Sequence, residues 1–253
     1  MVPVDTMPSG RPATLEACLG RDLRTNGAVV IPSSLFSGSS DIPGWDSWLD
    51  LPPDPYLPEL PYRYRRFGRV EAVSDGTDWT LSPLPHASFQ QSAKVIPLYA
   101  GEARFFDPIP KSELMSDGMV GLLKTDLDIV SQAAESRRAY VLGLHMIRVV
   151  AEPDRSRLPA PEGRHRDGHD YVAMHLMYRQ NCRGGVSRVY RGRAEQPFLV
   201  TTMKDRLDSL IIDDRTVEHE VTPVSSPSAE PGARALLLVD FDPAPRETLP
   251  RLP

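Results

Sequence analysis

The feature that most constrains the fold is a series of short apolar segments in the second half of the chain, each bounded by turn-forming residues. Such segments are typical of β-strands, and strands at this spacing indicate a sandwich or a barrel. We therefore predict a mainly β fold with flanking helices, a double-stranded β-helix of the jelly-roll, cupin-like kind. The segments are YVLGLHMIRVV (140–150), DYVAMHLMYR (170–179), VSRVYR (186–191), DSLIID (208–213), VEHEVTPV (217–224) and RALLLVDF (234–241).

Two segments of the first half have the periodicity of amphipathic helices. ATLEACLGRDLR (13–24) places apolar residues at helical spacing and is followed by a short buried strand in NGAVVIPS. KSELMSDGMVGLLKTDLDIVSQAAESRR (111–138) carries a longer apolar face, which predicts one helix packed on a sheet. Residues 40–62 are too rich in proline for regular structure, and their apolar side chains indicate an ordered surface wrap.

These patterns predict one domain over residues 1–253, because a β domain of this length is commonly a single unit. Residues 1–59 would form the N-terminal helix, strand and proline-rich wrap. Residues 60–139 would form a helical support region, and residues 140–242 would form the jelly-roll strands that carry the functional site.

Composition excludes several classes of partner. The formal net charge of −5 leaves no basic surface for nucleic acid or an anionic membrane, and no apolar run is long enough to span a bilayer. The first residues lack the pattern of a secretory signal, and the two cysteines, Cys18 and Cys182, suit free thiols. We expect a cytoplasmic protein with a small-molecule partner, and we allow for a homodimer.

The segment GRHRDGHDYVAMHLMYRQ (163–180) carries a His-x-Asp pair just before a predicted strand. In an extended segment the side chains of His165 and Asp167 point the same way, as two ligands of one metal would. His219 lies 52 residues beyond Asp167, on another predicted strand, and would complete the two-histidine, one-carboxylate set of an open iron site. On the pair alone, a solvated ion pair in a turn is the simpler interpretation.

Arg234 lies 15 residues after His219 and opens the apolar strand RALLLVDF. A guanidinium at this place could bind the end of a dicarboxylate through two parallel hydrogen bonds. The alternative is a charge that keeps a strand edge soluble.

Together, PEGRHRDGHDYVAMHLMYRQNCRGG, LDSLIIDDRTVEHEVTPV and PGARALLLVDF resemble the 2-oxoglutarate and iron(II)-dependent dioxygenases of the bacterial L-isoleucine dioxygenase type, which hydroxylate free aliphatic amino acids. The resemblance continues through YRYRRFG, FQQSAKVIPLYAGEARFFDPI and LHMIRV, so it covers most of residues 60–241. It implies that His165, Asp167 and His219 bind Fe(II), and that Arg234 binds the distal carboxylate of 2-oxoglutarate. We add Thr222 as a residue that assists Arg234.

The resemblance also implies a reaction. An unactivated carbon of a free L-amino acid, with an aliphatic side chain as in that family, would be hydroxylated by O2 while 2-oxoglutarate is decarboxylated to succinate. Ascorbate would serve as the reductant in vitro. Asp167 stands where related halogenating enzymes have a small residue, which favours hydroxylation. A role in the biosynthesis of a nonstandard amino acid is the corresponding hypothesis.

A free amino acid needs one partner for its carboxylate and one for its ammonium group. Candidates for the carboxylate are Arg148 and either Arg65 or Arg66, and candidates for the ammonium group are Glu162 and Asp170. Ordinary surface pairing is the alternative for each. The stretch VIPLYAGEARFF (95–106) departs from the family pattern, so the wall that faces the substrate is expected to differ.

Other interpretations stay open from the sequence. The same chemistry could act on a carrier-bound aminoacyl group or a peptide, or the chain could be a non-catalytic metal-binding jelly-roll module. A zinc hydrolase would leave Arg234 without a use. His175 and His145 are expected to be hydrogen-bonded core residues rather than ligands, and Asp213 and Asp214 are expected to form a hairpin turn.

Overall fold

The computed structural model of the protein describes residues 14–36, 42–57, 59, 62–91, 101–153 and 155–244. Part of the stretch expected to shape the substrate wall, residues 92–100, lies outside the described residues.

The largest element is an antiparallel sheet of seven strands in the order β1-β9-β5-β12-β4-β2-β3. The long strands β12 and β4 pair over their whole lengths in the middle of this sheet. Its strands, in chain order, are β1 (Ala28–Ile31), β2 (Arg63–Ser74), β3 (Trp79–Pro83), β4 (Tyr140–Ala151), β5 (Tyr171–Gln180), β9 (Ser209–Ile212) and β12 (Gly232–Pro243).

Two smaller sheets complete the β structure. One has the order β10-β7-β8 and the other pairs β11 with β6. Buried side chains of β5 and β9 in the large sheet pack against Val189 and Val217 of the small sheet. The fold is therefore mainly β with two sheets face to face, as predicted. The strands of the smaller sheets are β6 (Arg183–Gly184), β7 (Ser187–Arg191), β8 (Leu199–Thr201), β10 (Val217–Val221) and β11 (Val224–Ser225).

Helices cover the opposite face of the large sheet. The main ones are α1 (Leu15–Asn26) and α4 (Asp117–Ala133), which pack against each other and against the sheet. Thr14 caps the start of α1, and Gly27, with φ of 78°, ends it in the left-handed conformation that favours glycine. Side chains of these helices and of the large sheet therefore form the main apolar core on this face.

The predicted helix over 111–138 is in fact two helices, α3 (Lys111–Leu114) and α4. The side chain of Ser116 accepts a hydrogen bond from the backbone N–H of Met119 and begins α4 as its N-cap. The periodicity of the apolar residues continues across this break, which is why the sequence predicted one element. The apolar face itself is correct, because Met119, Leu122, Leu123, Leu127 and Val130 are fully buried.

The description of residues 60–139 as a helical support region is wrong in its first part. This region contributes β2 and β3, two strands of the large sheet, before α3 and α4 begin. The segment RYRRFGRVEAVS lacks the usual apolar alternation, because Arg63 and Arg65 are among the side chains that point inward. The proline-rich wrap likewise contains a short helix, α2 (Trp45–Leu49), with Trp48 buried.

His175 is a buried core residue, as predicted. Its Nδ1 lies 2.7 Å from Ser209 Oγ, and its Nε2 lies 2.9 Å from Asp126 Oδ2 on α4. All three side chains are fully buried, and the Ser209 hydroxyl donates to the Leu207 carbonyl. This set resembles a catalytic triad in composition, but its burial makes it a polar link between α4, β5 and β9.

Candidate metal centre

The turn that carries His165 and Asp167 is held by Asp214, the second residue of the acidic pair after β9. One carboxylate, that of Asp214, accepts hydrogen bonds from the backbone N–H groups of Asp167 at 3.0 Å, Gly168 at 2.6 Å and His169 at 3.2 Å. Three donors on one carboxylate fix the direction of the Asp167 side chain. Asp214 lies in a turn, but the predicted hairpin is wrong, because the strands on either side, β9 and β10, belong to different sheets. Sequence reasoning also missed what this carboxylate does.

The third predicted ligand is brought to the same place by backbone pairing. His165 and His219 form an isolated antiparallel bridge, with N–H to carbonyl distances of 2.9 Å in both directions. Their ring centroids are 4.4 Å apart. The potential ligand atoms of His165, Asp167 and His219 all lie within 4.8 Å of one another. The structure therefore brings together the three residues that the sequence selected as ligands.

The donor atoms of this triad suit a divalent metal ion. The His165 ring donates from Nδ1 to the Gly163 carbonyl at 2.8 Å, which leaves the Nε2 lone pair for the site. Both Asp167 oxygens face a histidine Nε2 at 3.5 Å, from His165 on one side and His219 on the other. Two imidazole nitrogens and one carboxylate form the open set found in non-haem iron(II) oxygenases, so the residues fit iron(II).

Burial and mutual charge shift the pKa values of the metal-free triad. Burial raises the pKa of Asp167, but the hydrogen bond from His165 and the charge of His219 outweigh it and hold the pKa well below its usual range. Burial lowers the pKa of His165, but Asp167 raises it to about 9. Burial lowers the pKa of His219 to about 4. The metal-free site therefore holds one carboxylate and one protonated imidazole, and a cation would displace that proton.

A cavity between the sheets opens onto the triad. Alternate residues of β12 line it, because side chains two apart on a strand share a face. Neighbouring strands add mostly apolar groups, and polar residues are concentrated at the two ends of β12. The lining set from β12, β4, β5 and β9 is Arg234, Leu236, Leu238, Asp240, His145, Ile147, Val149, Met174 and Leu210.

Arg234 lies at one end of this cavity, and its predicted role in binding a carboxylate stays a prediction. Its side chain is buried, and its Nε has no hydrogen-bond partner among the described residues. Burial, together with the nearby charge of Arg179, lowers the pKa of Arg234 to about 10, so the group is still a cation at neutral pH. A Cβ on Gly185 would lie 3.0 Å from Arg234 Cδ. The site therefore offers a buried guanidinium to an anion.

The residues predicted for substrate binding divide into two groups. Arg65 and Glu162 line the cavity, so their predicted roles stay predictions that the geometry allows. Arg148 does not line it: its guanidinium stacks over the Tyr64 ring at 4.1 Å, on the other side of the sheet. The prediction for Arg148 is therefore wrong, because the strand alternation turns it away.

Three further predictions are corrected in the same way. Arg66 binds Asp50 outside the cavity. Asp170 binds Arg138 at 2.5 Å and does not reach the cavity. Thr222 does not line it either, because its hydroxyl accepts the backbone N–H of Val186 at 2.9 Å and so closes a strand connection.

Sequence reasoning missed a second group of polar residues beside the triad. Gln91 donates from Nε2 to the Asp167 carbonyl at 3.1 Å and accepts a hydrogen bond from Arg104, which is buried. Arg65 lies over the Phe106 ring at 4.2 Å. Gln91, Arg104 and Phe106 come from the segments around 89–106, where no metal-ligand or phosphate-binding pattern marks them, whereas Arg65 was selected from the sequence. The proximity of Gln91 to Asp167 could be found only from the fold.

The last missed element is a chain of buried polar groups at the other end of β12. Arg65 Nη2 donates to His145 Nδ1 at 2.5 Å, and His145 Nε2 then donates to Asp240 Oδ2 at 2.8 Å. His169 Nε2 lies 3.3 Å from the same carboxylate oxygen, and its Nδ1 donates to Asp242 at 2.8 Å. His145 was expected in the core, but the role of its partner Asp240 was not predicted.

Comparison with known proteins supports the resemblance seen in the sequence. A family model described as 2OG-Fe dioxygenase matches residues 45–240. L-isoleucine-4-hydroxylase of Bacillus thuringiensis is 24% identical over 181 residues, which cover 71% of this chain and 74% of that protein.

Solved structures have the same fold. The crystal structure of a bsmA homolog from Methylobium petroleophilum has a TM-score of 0.75 at 26% identity, over 90% of this chain and 93% of that chain. The structure of IDO from Bacillus thuringiensis has a TM-score of 0.72 at 20% identity, over 95% of this chain and 100% of that chain. At 20% identity this second likeness is one of fold, and it agrees with a jelly roll.

Proposed function

Because the chain belongs to the 2OG-Fe dioxygenase family, we propose that it hydroxylates an unactivated carbon of a free L-amino acid, with an aliphatic side chain favoured. Its cofactor and cosubstrates are Fe(II), 2-oxoglutarate and O2. The amino-acid substrate is suggested by the relative named L-isoleucine-4-hydroxylase. The observation that carries the proposal is the cavity with the triad on its wall and a buried guanidinium, that of Arg234, at one end.

In this proposal His165, Asp167 and His219 hold the iron through two Nε2 atoms and one carboxylate oxygen. Iron(II) held there would supply the O2 chemistry that couples decarboxylation of 2-oxoglutarate to succinate and CO2 with hydroxylation of a carbon. Asp214 keeps Asp167 in place through the three N–H groups of its turn. These residues would therefore determine which end of the cavity the hydroxylation takes place in.

Arg234 would bind the distal carboxylate of 2-oxoglutarate. A buried cation is costly unless it is paired, and the Nε of this guanidinium has no partner among the described residues. A planar guanidinium binds a carboxylate through two parallel hydrogen bonds, which also sets the direction of the molecule. The apolar residues Leu236 and Ile147 of the cavity wall exclude water from the space beside it.

The substrate would lie on the other side of the triad. We propose that Arg65, whose guanidinium is fixed by His145 and Phe106, binds its carboxylate. An aliphatic side chain suits the remaining wall, since Met174, Leu210 and Leu238 offer only apolar surface. In this arrangement the charge of Arg65 orients the carboxylate of the amino acid, and the shape of the apolar wall orients its side chain.

The test is an aerobic assay of the purified protein with iron(II), ascorbate, 2-oxoglutarate and a panel of free L-amino acids. We expect stoichiometric succinate and a mass gain of one oxygen on at least one aliphatic amino acid. Asp167→Ala is the paired control, and it should lower turnover by more than about 100-fold while leaving the circular dichroism spectrum unchanged.

Three results would contradict the proposal. Succinate without an oxygenated amino acid would mean uncoupled turnover and would favour a carrier-bound or peptide substrate. Iron binding without any succinate would favour the non-catalytic module. Equal turnover by Asp167→Ala would remove the triad from the reaction.

A further inference from the structure

The two ends of the cavity carry different polar groups. The family chemistry gives a role to the guanidinium at one end and none to the carboxyl group at the other. Along β12, Arg234 and Asp240 share the face that lines the cavity and lie six residues apart, which is about 20 Å of strand. Arg234 lies beside Gly185. Asp240 lies beside the turn of Asp167, because His169 of that turn contacts its carboxylate at 3.3 Å. A buried carboxyl group, that of Asp240, therefore lies at the end of the cavity opposite the Arg234 guanidinium.

Asp240 is only 3% exposed, and its two oxygens have different surroundings. Oδ2 accepts from His145 at 2.8 Å and contacts His169. Oδ1 is buried and has no hydrogen-bond partner among the residues that the structure describes. A buried carboxylate oxygen without a donor is costly, so such a group in a cavity wall is expected to serve a ligand that carries N–H groups.

A chain of two hydrogen bonds, from Arg65 to His145 and from His145 to Asp240, fixes the position of this carboxylate. Arginine can only donate, so the hydrogen bond from Arg65 requires His145 Nδ1 to be the acceptor and places the ring proton on Nε2. That proton is donated to Asp240 Oδ2. The strand neighbour of Asp240 on β4 is Gly143, where a Cβ would lie 3.1 Å from Oδ2. Glycine at position 143 therefore leaves room for the Asp240 carboxylate, which a Cβ there would crowd.

The same chain of hydrogen bonds places the Arg65 guanidinium close to the Asp240 carboxyl group. Arg65 and Asp240 both line the cavity, and His145 contacts both of them. One end of the cavity thus presents a guanidinium and a carboxylate held by a common partner. An α-amino acid carries the complementary pair, a carboxylate and an ammonium group on one carbon.

We propose that Asp240, through Oδ1, binds the ammonium group of the substrate and selects free α-amino acids over carboxylic acids and N-acylated amino acids. This inference rests on the proposed function and assigns a specificity-determining residue to it. Glu162, selected from the sequence for the same role, also lines the cavity, but it is half-buried on the loop before His165 and lacks the supporting hydrogen bond that fixes Asp240.

The experiment compares L-isoleucine with 3-methylpentanoic acid, which has the same carbon skeleton without the amine. If another amino acid of the panel has higher turnover, that amino acid and its own desamino acid are used. Asp240→Asn keeps the shape and the acceptor for His145 but removes the charge. We expect it to raise the KM for the amino acid about 10- to 100-fold, as loss of a charge-assisted hydrogen bond does, and to change the KM for the desamino acid less than about 3-fold.

Two other variants separate this role from a general effect of charge. Asp242→Asn removes the second carboxylate on His169, which does not line the cavity, and should change neither KM more than about 3-fold. Glu162→Gln tests the competing residue. If Glu162→Gln loses the preference for the amino acid and Asp240→Asn keeps it, the assignment to Asp240 is overturned.

A binding measurement keeps the inference testable if Asp240→Asn does not fold. Anaerobic wild-type protein with iron(II) and 2-oxoglutarate is titrated calorimetrically with L-isoleucine, its 2-hydroxy analogue and N-acetyl-L-isoleucine. We expect the last two to bind at least about 10-fold more weakly. Equal binding of all three would overturn the ammonium site while leaving hydroxylation in place. Absence of turnover on every amino acid would instead count against the proposed function.

Discussion

At the scale of single residues, several ionisable groups near the triad are held by identifiable partners. Asp214 is an example: its own burial and the charge of Asp167 raise its pKa to about 6, although three backbone N–H groups oppose the shift. The environment of Asp214 therefore disfavours its charged form, and the N–H groups of the turn hold the carboxylate there nonetheless. Such a group is typical of a site whose geometry matters more than its stability.

Replacing Arg234 tests the cosubstrate end of the cavity. Arg234→Ala should raise the KM for 2-oxoglutarate by about 10- to 150-fold, because a charge-assisted pair to a buried carboxylate is lost. The KM for the amino acid should change little. Steady-state succinate formation measures both constants. Arg148→Ala, which removes a guanidinium outside the cavity, is the control, and an unchanged requirement for 2-oxoglutarate in Arg234→Ala would exclude the predicted role.

His145 should remain neutral across the physiological range. Burial, and then the charge of Arg65, lower its pKa well below the ordinary value of 6.5. Nitrogen-15 NMR of the imidazole should show the Nε2–H tautomer from pH 8 to pH 5. Because the unfolded chain takes up a proton below about 6.5 and the folded chain does not, this residue lowers the free energy of unfolding as pH falls, by up to about 1.4 kcal/mol per unit. An imidazolium signal at pH 6 would contradict the assignment.

At the scale of elements, β2 shows how a functional surface alters a strand. Its inward positions include Arg63, Arg65 and Phe67, and the two arginines face the cavity instead of an apolar core. Arg63 is balanced by the buried carboxylate of Asp54 at 3.0 Å. The strand is held by its backbone pairing with β4 over ten register pairs, from Arg63↔Val149 to Ala72↔Tyr140. Periodicity alone therefore missed an element that backbone pairing and long-range partners stabilise.

The crossing of α1 and α4 depends on one glycine. A Cβ on Gly20 would lie 2.4 Å from Gln132 Cβ and 2.8 Å from the Ile129 carbonyl oxygen. Gly20→Ala should therefore lower the free energy of unfolding by about 1–3 kcal/mol, although alanine favours helix. Gly121→Ala in α4 is the matched control, since nothing lies within 4 Å of its Cβ position, and it should stabilise by up to about 1 kcal/mol. Denaturant unfolding measures both, and equal stabilisation would mean that the helices are not in close contact at Gly20.

At the scale of the whole molecule, the triad joins parts of the chain that are distant in sequence. His165 and Asp167 precede β5 in the large sheet, whereas His219 belongs to β10 in the small sheet. A metal ion at this site would connect the two sheets, and its binding would stabilise the folded state. In the described part of the chain, no helix is long and apolar enough to cross a membrane.

Metal binding should therefore raise the thermal midpoint. At a free iron(II) concentration about 100 times the dissociation constant, the expected gain is about 2.7 kcal/mol, or roughly 5–10 °C for a chain of this size. Because His165 has a pKa of about 9 without metal, the apparent affinity should fall as pH decreases below that value. Anaerobic scanning calorimetry measures the shift. Asp167→Ala should abolish it, Asp78→Asn on the surface should not, and a full shift in Asp167→Ala would contradict the site.

The sequence by itself determined the elements whose patterns are local. The alternation of apolar residues predicted the jelly-roll strands after Tyr140, and helical spacing predicted α1 and the apolar face of α4. The His-x-Asp pair, His219 and Arg234 were also selected from the sequence, because metal ligands and a carboxylate-binding cation require particular residue types at particular strand positions.

Only the tertiary structure decided which other charged residues face the cavity. Arg65, Arg148 and Arg66 look alike in sequence, but strand alternation and register place the first in the cavity and the other two outside it. In the same way, Asp240 lines the cavity and Asp170 does not. The roles of Asp214, His145 and Asp240 depend on partners far away along the chain, and no local pattern encodes which buried groups will meet. Their positions follow from the pairing of strands, which long-range backbone hydrogen bonds and core packing determine.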